Sequence, residues 1–436
     1  MTHRAEPQDS ARTASLSSGE NAPWPPMTML AMVVAFALPF NSQLPSVPRA
    51  VWFICIVALI AIPIAFLRSG RRPLYPVVWI VAGYASFIAI LTATNRATID
   101  ENLFIGAQLV LLVGFGPFAM TAIAVMDAKF APRVAAAFLA GQCVSAAAAI
   151  SQLLGYRLLG SAPLQGRAYG LAEHPNSLGF LSCLAILIAL QMFLKSRRFR
   201  LLTFTALAVN VLALVASGSV SSMMALAAGL LVLVVCRRDS LGKIAIGAIA
   251  CAVALWLVAQ LSGVFSYLPS VAGRYGQVTG QTESVSSWEL RMLTYQFAWE
   301  KISAEPIFGV GLHPDYSGTF NGITVTHNVF LRAWYQGGAL LAIAIALIVS
   351  AVLIVALRAM STKTHGGEAS VLVGIFAFAL TSALFEQRHF WLPVLVAWAS
   401  ISAAAIRRSR LAETGGPTST IVLTRAGQKP RLATRH

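Results

Sequence analysis

The chain has 436 residues, of which 57% are apolar and 11% charged, and its formal net charge is +16. Soluble globular chains average roughly 25% charged residues, so this balance excludes a soluble enzyme, a disordered protein and a disulfide scaffold. A membrane-crossing helix takes about 20 apolar residues, and the apolar content here suffices for about twelve, which predicts an all-α polytopic membrane protein.

Residues 1–26 are polar and mixed in charge and end in Pro23, Pro25 and Pro26. They read as a cytoplasmic tail and not a signal peptide, because the first apolar run starts only at Met27 and no small-residue cleavage site follows it. Apolar runs then predict spans over residues 27–43, 48–67, 74–93, 103–126, 133–155, 176–194, 199–216, 220–236 and 241–261. Pro39 and Asn41 interrupt the first of these. Residues 262–327 form one long loop, three further spans follow over 328–357, 368–385 and 390–406, and residues 407–436 are a basic cytoplasmic tail. Within the long loop, Ser286 and Glu289 have capping-box spacing. Trp288, Met292, Tyr295, Trp299 and Ile302 follow as an apolar stripe at helical spacing, ended by Pro306. That helix suits either the headgroup level of a bilayer or packing on the protein's own loop.

With the N-terminus placed in the cytoplasm, the alternating segments put 23 Lys and Arg residues inside and 9 outside. This is the positive-inside pattern. It puts both termini in the cytoplasm and the long loop on the periplasmic face of a bacterial inner membrane. It also accounts for the net charge, so no nucleic-acid partner is needed. Cys55, Cys143, Cys183, Cys236 and Cys251 all fall inside apolar runs, without metal-ligand spacing, and read as small core residues.

The span interiors hold almost no ionisable groups, their polar members being amides such as Gln108, Gln142 and Asn210. Coupled transporters place charged groups at mid-membrane depth. The ionisable residues gather on the outer face instead: Arg167 to His174 and Asn176, then Arg274 and Arg291, then His313, His327, Asn328 and Arg332, then Glu386, Arg388 and His389. Outward arginines run against the positive-inside rule, and guanidinium groups grip phosphate oxygens bidentately. A lipid-linked diphosphate sugar is the activated donor available on that face. Arginines would stabilise its leaving group, and a neutral histidine would take the acceptor's proton. Asn176 and Asn328 sit at helix starts, where capping is an equally good role. Arg332 shares a helix face with Asn328 and needs either Glu386 or substrate as its anion; Arg388 has Glu386 as a candidate partner.

Three stretches together resemble the O-antigen ligase and polymerase superfamily of bacterial inner-membrane glycosyltransferases. They are Arg167-x-x-Gly170 with Asn176-x-Leu178-Gly179; Arg291, an aromatic-rich helix and Pro306-Ile-Phe308-Gly309-Val-Gly311; and His327-Asn328-x-x-Leu331 with Gly337-Gly338. The resemblance covers about residues 160 to 340 by motif. It implies a GT-C-like fold, a glycan donor on undecaprenyl diphosphate, a lipid or glycan acceptor, inversion at the anomeric carbon, and neither metal nor cofactor. It implies His327 as the base and Arg167 and Arg291 as diphosphate contacts. Arg332 and Arg388 are further candidates for that contact, and His174, Asn176, His313 and Asn328 candidates to line the pocket. One departure stands out. Where the family often carries Ser-Arg, this chain reads Ser217-Gly-Ser219-Val220-Ser-Ser222, with valine in the arginine's place. The rival class is a lipid-linked oligosaccharide flippase or polysaccharide exporter, which would leave the glycosidic bond intact.

Overall fold

The structure, a computed structural model, describes residues 26–65, 71–92, 99–156, 167–195, 199–238, 242, 287–313, 320, 324–382 and 387–413. It is helical almost throughout. In chain order α1 (Pro26–Ala37) runs on as a 3-10 helix (Leu38–Gln43), followed by α2 (Ser46–Ala65) and α3 (Pro76–Thr92). Next, α4 (Ile99–Leu109) joins α5 (Gly116–Met126) through one π-helical stretch (Val110–Phe115). Then come α6 (Phe130–Leu153), α7 (Pro175–Lys195), α8 (Arg200–Ser217), α9 (Val220–Cys236) and α10 (Ser287–Ala304). The last three are α11 (Val329–Thr362), α12 (Gly366–Ala379) and α13 (Arg388–Glu413).

Helices are what apolar chains in lipid must form, because nothing but the chain itself can satisfy backbone N–H and C=O groups there. Among the described residues, seven helices are long and apolar enough to cross a membrane: Ser46–Ala65, Asn102–Met126, Phe130–Leu153, Pro175–Lys195, Arg200–Ser217, Val329–Thr362 and Arg388–Glu413. Three shorter apolar helices, Pro76–Thr92, Val220–Cys236 and Gly366–Ala379, accompany them. The polytopic all-α reading therefore stands. The expected span at 241–261, Arg274, Ser286, Glu386, Cys251, the tail at 407–436 beyond Glu413 and most of the long loop lie outside the described residues. The predicted break in the first span is real: α1 stops at Ala37, and Pro39 and Asn41 lie in the 3-10 segment, where Asn41 Nδ2 donates to the Leu38 carbonyl at 2.7 Å.

The bundle is built from the pairs α1–α6, α3–α11, α5–α13, α7–α8 and α9–α12. Trp79, Trp391 and Trp398 are fully buried, with Trp79 and Trp398 edge to face at 5.2 Å and Trp398 Nε1 donating to the Leu74 carbonyl. Phe180 of α7 stacks on Phe378 of α12 at 4.7 Å. Large apolar side chains such as Ile54, Tyr84, Leu231 and Leu357 face outward. A soluble monomer rarely exposes such surface; acyl chains cover it here. Cys183 and Cys236 are buried and Cys55 and Cys143 half-buried, all as free thiols within the helices.

The aromatic stripe of α10 divides between two faces. Thr294, Ala298 and Ile302 turn inward, Ala298 and Ile302 against the buried Tyr335 of α11, while Met292 and Trp299 stay exposed. The small residues Thr294 and Ala298 set the buried face because they let α10 approach α11 closely. The bulkier stripe is rotated to its edge, where Trp299 meets Trp334. Of the two roles expected of this helix, the structure shows packing within the protein, on α11.

Candidate functional site

One end of the bundle gathers the start of α7, the turn between α8 and α9, the start of α11 and the helix α10. At the α8–α9 turn, Gly218 takes φ +55° and Ser219 caps α9. The Ser219 and Ser222 hydroxyls lie 2.8 Å apart. Gly179 of α7 fits against this turn only because it lacks a side chain: a Cβ there would lie within 2.8 Å of Ser217 Oγ, Ser219 Cβ and Ser222 Oγ.

Two of the predicted arginines are anchored on that turn. Arg167 is buried; its Nε donates to the Ser217 carbonyl at 2.7 Å and its Nη2 to Asn176 Oδ1 at 2.7 Å. Arg291, from α10, donates through Nη2 to Ser221 Oγ at 3.0 Å. Chain segments more than a hundred residues apart therefore meet on six residues of sequence. Asn176 is not a cap but an orienting acceptor for Arg167. The capping role falls to His174, whose Nδ1 accepts from the Asn176 N–H at 3.0 Å.

His327 lies at the mouth of α11. Its backbone is held, since its carbonyl accepts from Tyr295 Oη at 3.2 Å and the next residue, Asn328, caps α11 by accepting from the N–H groups of Phe330 and Leu331. Thr326 Oγ1 donates to the Thr294 carbonyl. The ring Nδ1 is buried with no hydrogen-bond partner. Burial, then the charge of Arg291, and further those of Arg332 and His174, push the imidazole down from 6.5 to about 4, against an upward pull from the Val325 backbone. His327, Arg291, Arg332 and His174 thus share one electrostatic environment. Asn328's side-chain oxygen is committed to the helix start.

Arg332 is buried one turn into α11, its Nε donating to Gln336 Oε1 at 3.1 Å. Arg388 lies over the rings of Trp52 and Phe53 of α2 at 5.7 and 5.2 Å, within the field of Glu173, the neighbour of His174, and its charge is not among those acting on His327. His313 also has a separate setting: its N–H and that of Leu312 both donate to Asn102 Oδ1 of α4.

The glycine motifs interlock. In α11 Gly338 has φ +78° and ψ 179°, which opens the helix. The Gly309-Val-Gly311 segment docks on the opened turn, with Val310 N–H donating to the Tyr335 carbonyl at 2.8 Å, Gly311 N–H to the Gln336 carbonyl at 3.0 Å, and Ala339 N–H to the Ile307 carbonyl at 3.2 Å. A Cβ on Gly338 would strike the Ile307 carbonyl, and one on Gly309 would strike the Gln336 carbonyl. The pair fixes the long loop's exit to the helix that carries Arg332. Gly338→Ala is expected to destabilise the protein by about 3 kcal/mol, since that backbone region is essentially glycine's alone. The check is thermal unfolding in detergent, with the exposed Gly242, whose backbone accepts a side chain, changed to alanine as control.

Sequence reasoning missed Ser221, the Ser217 carbonyl, Gln336 and Tyr295. Gln336 was visible as the i+4 neighbour of Arg332. The serines carried no signal beyond their lack of an arginine, because what they contact is set by helix packing.

Comparison with known families finds that residues 205–346 match the family described as O-antigen ligase. The matched segment contains the α8–α9 serine turn, Arg291, His327 and the Gly309–Gly338 interlock. No curated protein matches the chain.

Proposed function

We propose that this membrane protein, which carries an O-antigen ligase domain over residues 205–346, transfers a glycan from undecaprenyl diphosphate to an acceptor hydroxyl at the periplasmic face of the bacterial inner membrane. The observation that carries the reading is the meeting of His327 with Arg291, Arg332 and His174 at the bundle end where Arg167 and Arg291 share one turn.

In this mechanism the acceptor oxygen attacks the anomeric carbon from the face opposite the diphosphate. The new C–O bond forms as the old one breaks, with inversion. The bonding pair leaves on the diphosphate oxygen, and the hydroxyl proton passes to the His327 imidazole. Arg291 and Arg167 hold the diphosphate, with Arg332 adding positive charge behind them; fixed cations of this kind act most strongly in a water-poor site. On the turn where Val220 replaces the family's frequent arginine, Ser221 Oγ orients Arg291 and the Ser217 carbonyl orients Arg167.

The depressed pKa has a function in this scheme. A histidine near 4 is neutral at pH 7 and ready to accept, but it is a weak base, and general bases work best with a pKa close to the working pH. A bound diphosphate neutralises Arg291 and Arg332, removes two of the charges that lower the ring, and raises its pKa. Donor binding therefore strengthens the base. The acid limb of kcat/KM, which reports free enzyme, is expected near pH 4. The acid limb of kcat, which reports the donor complex, is expected at higher pH. Initial rates from pH 3.5 to 8 test this, and coincident limbs would refute the coupling.

The reaction itself is tested with purified protein and lipid-linked repeat units. Chain growth from those units alone identifies a polymerase. Transfer only to an added lipid core identifies a ligase. Movement of intact donor across a vesicle membrane with no new glycosidic bond would overturn the transferase reading.

A further inference from the structure

A cavity of about 190 Å³ opens in the other half of the bundle, between α1, α2, α5, α6, α7, α12 and α13. Its walls are apolar, including Val34, Leu59, Phe138 and Val396, and only at one end do Gln191, Lys195, Glu368 and Ser400 make it polar. Lys195 ends α7, the helix whose first turn carries Asn176 of the site above. At 1.5 Å per residue the two ends of α7 are about 30 Å apart, a full hydrocarbon thickness. This cavity is thus distinct from the transferase site.

Cations crowd its polar end. Arg408 Nη2 lies 3.3 Å from His365 Nε2, and the other charges acting on that imidazole are Glu368, Lys195 and Arg407. Glu368, which accepts from Ser400 Oγ at 3.3 Å, is the carboxylate among these charges and is outnumbered by Lys195, Arg407 and Arg408. Lys195 and Arg408 are exposed. The result is net positive charge at a helix-end crevice, directly above an apolar hole. An apolar cavity of about 150 Å³ accommodates benzene, so this one accepts a stretch of hydrocarbon chain. Basic pockets between membrane helices on the cytoplasmic side suit anionic lipid headgroups.

We propose that this cavity is a binding site for an anionic phospholipid, with one acyl chain entering between α1, α6 and α13 and the headgroup phosphate held by Lys195 and Arg408. Its occupant belongs to the inner leaflet under the orientation of both termini inside. Binding is independent of the glycan chemistry at the opposite end.

The test uses the full chain in detergent. Thermal unfolding is followed while dioleoyl phosphatidylglycerol, dioleoyl phosphatidylcholine or glycerol phosphate is titrated in. Phosphatidylglycerol is expected to raise Tm by a few degrees and to bind at least tenfold tighter than phosphatidylcholine, with glycerol phosphate inert. Lys195→Gln with Arg408→Gln, both on exposed side chains, should reduce phosphatidylglycerol to the level of phosphatidylcholine. Ala135→Phe, which fills the cavity, should weaken both lipids. If that variant does not fold, the glutamine variant decides alone. Equal binding of the two lipids, a preference that survives the glutamine changes, or glycerol phosphate matching phosphatidylglycerol would each overturn the proposal.

Discussion

His327→Ala is expected to lower turnover by about a hundred- to ten-thousandfold, the range for loss of a positioned general base, with donor affinity retained. The specificity of this loss follows from how His327 is held. Its anchoring uses main-chain groups: Tyr295 Oη binds the residue's carbonyl, and the helix cap comes from Asn328. Alanine keeps the backbone, so the start of α11, Arg332 and the Gly338 interlock stay in place. The ring has no hydrogen bond through Nδ1 to lose. Removing the imidazole leaves a small cavity and gives up its contact with the Val325 backbone, but relieves the burial of the Nδ1 atom, so stability should change little. In the proposed mechanism donor binding rests on Arg167 and Arg291, whose partners are Ser217, Asn176 and Ser221. Single-turnover transfer and equilibrium binding of a lipid-linked diphosphate glycan, measured on the same preparation, separate the two. Near-normal transfer would remove His327 from the base role. Weakened donor binding with normal turnover would make it a binding residue. His174→Ala provides the contrast: its Nδ1 is engaged by the Asn176 N–H, so its loss should loosen Asn176 and Arg167 and act on KM more than on kcat.

How much of this was legible beforehand depended on the physics carrying each feature. Apolar runs report burial in lipid locally, so α2, α3, α6 to α9, α11 and α12 follow the sequence within a few residues at most boundaries. Even the break after Ala37 was visible, because Pro39 and Asn41 act through their own backbone. The face that α10 buries was not. Aromatic spacing marks where bulk lies, but close packing on Tyr335 selects Ala298 and Ile302. The residue types that the structure brings together, arginines near a histidine, were readable from where charges fall between the apolar runs. Their partners were not, since the contact of Arg291 with Ser221 spans 70 positions and depends on how α9 meets α10. The same holds for Arg388. In sequence it stands with Glu386 and His389 as another cation, and in the fold it stacks on Trp52 and Phe53, an arrangement worth about 0.5–2 kcal/mol that no spacing announces.

Arg291→Lys is expected to reduce kcat/KM by about a hundred- to a thousandfold, the loss typical when one preorganised donor to a developing anion is removed. The charge survives this change and the fork does not. Lysine's ammonium is a single point, whereas Arg291 spends one Nη on Ser221 Oγ at 3.0 Å and keeps the rest of the guanidinium in a fixed plane. A lysine that satisfies the serine no longer points a second donor at a phosphate oxygen in a set direction. Comparison with Arg291→Gln separates geometry from field. In the lysine variant a positive charge still stands near His327 and holds its pKa down, so the acid limb of kcat/KM should stay near pH 4 while its height falls. In the glutamine variant that charge is gone, and since Arg291 is the largest influence on the ring after burial, the limb should move up toward the ordinary histidine range. A lysine variant as active as the parent would show that only charge matters at this position. A glutamine variant whose limb does not move would show that Arg291 and His327 are electrostatically independent, and the picture of a base tuned by its own donor site would fail with it.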